Sequence, residues 1–171
     1  MGVVESLELS DLMSIAETNP YTYCHNWLWS ALENEDTFCA LVPERNRVKV
    51  CSFYNPDVAR TFAEGDSPNV MIALRSIKHD LDYATNTTIL VLSYAINILT
   101  AGMDAGEIED IMWAILKGIV KARSELVNDV FLHDARFDDT ELEYVVKGRT
   151  KIVTACVVSL YVHIDNQELL E

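Results

Sequence analysis

The sequence predicts a mainly α protein: a single-domain helical bundle over residues 1–171, built around a buried central helical hairpin, with a short β-hairpin or an irregular loop near residues 37–54. Three observations carry that expectation. Residues 87–100 read TTILVLSYAINILT, where Ser93 and Asn97, four apart, lie on one face of an otherwise apolar helix surface. A helix apolar nearly all round is buried at the centre of something. A glycine-flanked break follows at Gly102 and Gly106, and then Ile108, Ile111, Met112, Ile115, Ile119, Leu126 and Val130 recur at helical spacing with charges between them. Finally, half of the 171 residues are hydrophobic, enough for one real core and too few residues for two domains.

The elements follow in order. Leu9, Leu12, Met13 and Ala16 form the apolar face of a first helix, which Asn19 and Pro20 end. Tyr23, Trp27, Leu28, Ala31 and Leu32 mark a short aromatic helix, closed by Asn34, Glu35 and Asp36. Residues 38–42 and 48–54 are strand-like runs around Pro43, Glu44, Arg45 and Asn46, read either as a hairpin or as a loop with extended backbone. Val58, Ala59, Phe62 and Ala63 suit a short helix, broken by Gly65 and Pro68. Val70, Leu74, Ile77 and Leu81 share one face of a further helix, and Asn86 is placed to cap the central one. Residues 133–139 read as a polar link and residues 141–146 as a short helix stopped by Lys147 and Gly148. The β-branched run after Thr150 fits a strand or a helix, and the helical surroundings favour helix.

Charge narrows the function. Thirteen Lys and Arg against 27 Asp and Glu leave a net charge of −14, which repels phosphate backbones and makes nucleic acid a poor partner. No Lys or Arg precedes Arg45, so the first stretch offers an acidic face that suits a basic partner or simply a solvated surface. The four cysteines are irregularly spaced and no secretory signal precedes them, which points to reduced thiols and a cytoplasmic location. No apolar segment reaches the roughly 20 residues of a spanning helix, so stable membrane insertion is not expected. The opening residues fit an N-myristoylation pattern at Gly2, though a single acyl chain beside acidic residues anchors weakly.

The search for chemistry returns little. Cys24 and His25 are neighbours, but adjacent residues on a helix point apart, so His25 is badly placed to activate the thiol. Asp129 and His133, four apart, share a helix face without the further ligands a metal needs. No phosphate-binding loop, nucleophile elbow or zincin motif is present. The expectation is a chain that is not an enzyme and needs no cofactor or metal.

From Asn86 onward the order of features resembles the B-cell-lymphoma (Bcl) family of apoptosis regulators, including its viral members. The matching pieces are Asn86-Thr87-Thr88-Ile89 before the buried segment, the acidic turn from Asp104 to Asp110, Leu126-Val127-Asn128-Asp129, and Phe137 to Tyr144. The family's Asn-Trp-Gly-Arg is altered here, so its ligand-pairing arginine has no counterpart. The resemblance implies a host–virus regulator of cell death that sequesters an amphipathic helix of a partner in an apolar groove, with Val70, Leu74, Ile77, Leu81 and Asn86 at the groove. Two alternatives stand beside it. One is an acidic immunity, chaperone or anti-defence protein covering a basic site; the other is a small hydrolase using Cys24. Exposed aromatics at Trp27 or Trp29 would favour a homodimer.

Overall fold

The run expected to form a buried central helix, Thr87–Leu99, is instead the central β-strand of a mixed sheet, and the helical-bundle expectation is overturned. The computed structural model describes residues 19–49, 60, 62–82, 86–129, 132–140, 144–147 and 150–165. The elements are α1 (Pro20–Glu33), α2 (Asp36–Leu41), β1 (Arg47–Val48), β2 (Asn69–Asp82), β3 (Thr87–Leu99), α3 (Ala105–Ser124), β4 (Leu132–Asp138), β5 (Tyr144–Lys147) and β6 (Thr150–Asp165). The sheet runs β1-β2-β3-β6-β4, with β5 also paired to β6. β1 lies parallel to β2 and every other pair is antiparallel. The result is an α/β fold: helices packed on one face of a sheet.

Residue chemistry explains the change of element. Thr87, Thr88, Ile89, Val91, Ile96 and Ile98 are β-branched, stiff at χ1 and better accommodated on a pleated surface than in a helix. β3 pairs on both sides and is covered on both faces over part of its length, so its sequence shows an apolar run without clean alternation. The alternation is present underneath. Leu90, Leu92, Tyr94, Ile96 and Ile98 enter the main core with Ile72, Val158, Leu160 and Val162, under Leu28 and Leu32 of α1 and Ile111, Ile115 and Ile119 of α3. Each large aliphatic buried there contributes roughly 1.5–3 kcal/mol. On the other face, Val48, Phe62, Met71, Ala73 and Leu99 form a smaller cluster.

Val70, Leu74, Ile77 and Leu81, expected on a helix, lie on β2. Their spacing of four, three and four mimics a helical face because the register shifts between Leu74 and Ser76. The extra residue inverts the alternation, so all four still fall opposite even-numbered residues of β3: Ile98, Tyr94, Leu92 and Thr88. Asn86 caps no helix. It sits in the β2–β3 turn with φ 53°, a left-handed conformation that asparagine tolerates. The expected hairpin near residues 37–54 is also corrected: Asp36–Leu41 is helical, Glu44–Asn46 is a 3-10 turn, and Arg47–Val48 pairs with β2.

The polar link is strand β4, the short helix before Gly148 contains strand β5, and the C-terminal run is strand β6. The buried central helix and the short later helix behind the Bcl resemblance are strands here, so the helical bundle that the resemblance implied is corrected. The expected first helix and Gly2 lie outside the described residues.

Two helices match their sequence signals. Asn19 opens α1 instead of closing a previous helix: its side chain accepts from Thr22 N at 2.9 Å, and Pro20 takes the first turn, where no N–H is missed. Asp104 and Glu107 close a capping box at the start of α3, with Lys121 and Arg123 in its last turn.

Candidate protein-binding flank of helix α3

The inner face of α3 is set by Ile108, Ile111, Ile115 and Ile119, all buried. Trp113 is out of phase with them and is 60% exposed. Val120, one further two-turn step along, is 51% exposed. The helix therefore presents a large aromatic on its outer side. Beside Trp113 lies a recess of about 290 Å³ bounded by Glu109, Met112, Trp113, Leu116, Ala155 and Cys156. Its far wall is made by a register irregularity in β6, opposite Ile96 and Asn97, where Ala155 is the extra residue. Such bulges re-aim side chains, and here Ala155 and Cys156 both pack towards the helix layer.

Charge on this flank is one-sided. Glu107, Glu109 and Asp110 are exposed, and Glu109 and Asp110 stand one turn before Trp113 on its two sides. Among the described residues no ion pair engages Glu109 or Asp110. Lys117, one turn beyond Trp113, leans away to Glu35 Oε1 at 3.3 Å and donates to Thr37 Oγ1 at 3.3 Å.

The neighbouring sheet edge is protected. β4 is the outermost strand, yet Leu132 N donates to Asp129 Oδ1 at 2.7 Å and Ala135 N to Asp134 Oδ1 at 2.9 Å. Asp134 also accepts from Arg123 and Arg136, and these contacts hold its carboxyl below the usual range, Arg136 acting most strongly. Side chains that occupy edge N–H groups discourage strand addition. The helix flank is therefore the more accessible surface on this side.

The other sequence candidates are dispersed. Val70 is fully buried, Leu74 is partly buried against the core, and Ile77 is 42% exposed where β2 runs past its helical cover. With Leu81, all four lie on β2 and Asn86 in the turn after it, so they share a strand and not the helix face expected of them. Trp29 is buried and Trp27 packs against the core, so neither is the exposed aromatic. Cys24 is fully buried, and burial, followed by the charge of Asp129, pushes its thiol up to about 12. His25 points away from it, accepting from Trp29 Nε1 at 3.2 Å. Asp129 and His133 share no helix: Asp129 follows a 3-10 turn, accepting from Tyr23 Oη at 2.5 Å, and His133 lies in β4 stacked on His163 with ring centres 4.1 Å apart. Among the described residues no group of three or more His, Cys, Asp or Glu is placed to hold a metal.

The open sheet face carries a second polar arrangement. Ser159 Oγ donates to Asp138 Oδ2 at 2.5 Å and lies 2.7 Å from Ser93 Oγ. With Ser159 buried and no imidazole in the chain of contacts, it joins β3, β6 and β4 as a cross-strand clasp. Part of the acidic N-terminal stretch is similarly occupied: Glu33 bridges Arg47 and Lys49, and Glu35 bridges Lys117.

Trp113 was missed in the sequence, although its signal was there: an aromatic between Glu109, Asp110 and Lys117, off the isoleucine stripe. No protein-family model matches the chain, and no curated protein is similar to it in sequence. Among the described residues no helix is long and apolar enough to cross a membrane.

Proposed function

We propose that this chain is a non-enzymatic protein-binding domain that docks a partner segment on the outer flank of α3. The observation that carries the reading is Trp113, 60% exposed at the mouth of an apolar recess. Tryptophan is enriched among residues that dominate binding energy, and a recess beside it accepts an anchoring side chain. The protected edge of β4 directs the partner to side-chain contacts instead of strand addition. Held protonated by burial, the thiols of Cys24 and Cys156 offer no ready nucleophile, which weakens the hydrolase alternative. The rival acidic-face reading loses Glu33 and Glu35 to internal ion pairs.

Photo-crosslinking tests the proposal. A photoreactive residue at Leu116, in the full chain within its own cells, is expected to give an adduct of defined mass. The same residue at Asn34, on the α1–α3 side, gives none. Equal labelling at both positions, or none at Leu116, would sink the reading.

A further inference from the structure

The flank described above also specifies the chemistry of what it binds. Resting on the protein-binding reading, we infer that the partner segment presents an arginine to Trp113, with a large apolar side chain beside it for the recess. Three observations converge. Trp113 is 60% exposed, and tryptophan is the aromatic that best attracts a cation over its ring. Glu109 lines the same recess, and Asp110 stands one turn before Trp113 on the other side, so two carboxylates frame the ring. The only cation within one turn after Trp113, Lys117, is drawn off to Glu35 and Thr37. Trp113 thus faces uncompensated negative charge.

Arginine fits better than lysine. Its planar guanidinium stacks on an aromatic face while its N–H groups reach carboxylates at the rim, whereas an ammonium is a strongly hydrated point charge. This chain already uses the same pairing internally: Arg136 lies 4.6 Å from the ring centre of Tyr161 while bonding Asp134. The recess beyond Glu109, walled by Met112, Leu116, Ala155 and Cys156, holds about 290 Å³, matched to one large aliphatic or aromatic side chain and not to a second helix. A second copy of the chain is the poorer occupant, because two molecules of net charge −14 repel.

The test is a phage-displayed library of random dodecapeptides, selected on the full chain at low salt, with every recovered binder then measured against both the wild type and Trp113→Ala. Trp113 is at the surface, so this variant keeps the wild-type thermal midpoint to within a few degrees. The expected outcome is a convergent set carrying arginine next to or near a large apolar residue. Synthetic peptides from that set lose about tenfold or more in affinity on Trp113→Ala, and a smaller amount on Glu109→Gln. Replacing the peptide arginine by citrulline, which keeps the shape and removes the charge, gives a similar loss. Binders that need Trp113 but tolerate citrulline would overturn the arginine inference and leave the docking reading standing. Binders indifferent to Trp113→Ala, or self-association of the chain in place of peptide binding, would overturn both.

Discussion

His25 is a buried imidazole packed between Trp29 and Tyr94, and its Nε2 accepts the indole N–H of Trp29. Burial holds its pKa below the ordinary value of 6.5, the Ile72 backbone acts in the opposite sense, and Lys49 adds to the lowering. A depressed histidine pKa means that the unfolded chain takes up its proton first as pH falls. The stability present above about 6.5 is then lost progressively as pH falls towards the folded-state value. Denaturation midpoints measured from about pH 7.5 down to about pH 5 should therefore fall. The slope should shrink in His25→Gln, which keeps an acceptor for Trp29 without a titrating ring. An unchanged slope would assign the acid sensitivity elsewhere, with His163, also depressed by burial and by His133, the first alternative. Trp113 is the complementary case at this scale: an aromatic whose exposure, not its burial, makes it informative.

Helix contact and strand pairing decide matters at the scale of elements. α1 crosses α3 closely at Gly118, where an added Cβ would come within 2.8 Å of the Ala31 carbonyl oxygen and 3.3 Å of Glu35 Cβ. Gly118→Ala improves intrinsic helix propensity by roughly 1 kcal/mol, but it forces the two helices apart at a backbone atom that cannot swing away. The separation loosens Leu28, Leu32 and Ile115 together, at a cost of about 1–3 kcal/mol. The net expectation is a lower urea midpoint with an unchanged m-value; a higher midpoint would show that the crossing has slack. α1 and α3 were legible in the sequence because their 3.6-residue period is clear, as in the isoleucines of α3, although the cap of α1 at Asn19 reads equally as the end of a preceding helix. β3 was not, because an apolar run paired on both sides carries almost no period, and only its β-branched content argues for a strand. β2 misled more actively: the irregularity at Leu74 and Ser76 gives a strand the spacing of a helix. β6 is illegible for a dependent reason, since its β-branched run argues for a strand only where the neighbouring segments supply strands to pair with. The candidate site went unseen for a related reason, since its recess depends on a bulge in a strand not recognised as one.

For the whole molecule the governing quantity is the net charge of −14. Some acids are held in ion pairs: Glu33 with Arg47 and Lys49, Glu35 with Lys117, and Asp134 with Arg123 and Arg136. Exposed pairs of this kind are worth about 0–1 kcal/mol each, and salt weakens them. Against them stands the mutual repulsion of the uncompensated carboxylates, which compaction intensifies. Raising sodium chloride from about 0.01 M to about 0.1 M shortens the screening length from roughly 30 Å to roughly 10 Å. Screening then relieves long-range repulsion throughout the molecule, while close pairs such as Arg47–Glu33, partly buried, lose little. The thermal midpoint of the free chain should therefore rise over this range. A fall would mean that the ion pairs outweigh the repulsion and that the acidic surface is electrostatically satisfied on its own. Docking of an arginine-bearing segment responds with the opposite sign, because the same screening weakens attraction between partner and flank. Opposite salt responses of stability and affinity in one preparation would tie both to the same uncompensated carboxylates. A common sign would place the binding energy in the apolar recess and leave charge with no part in recognition.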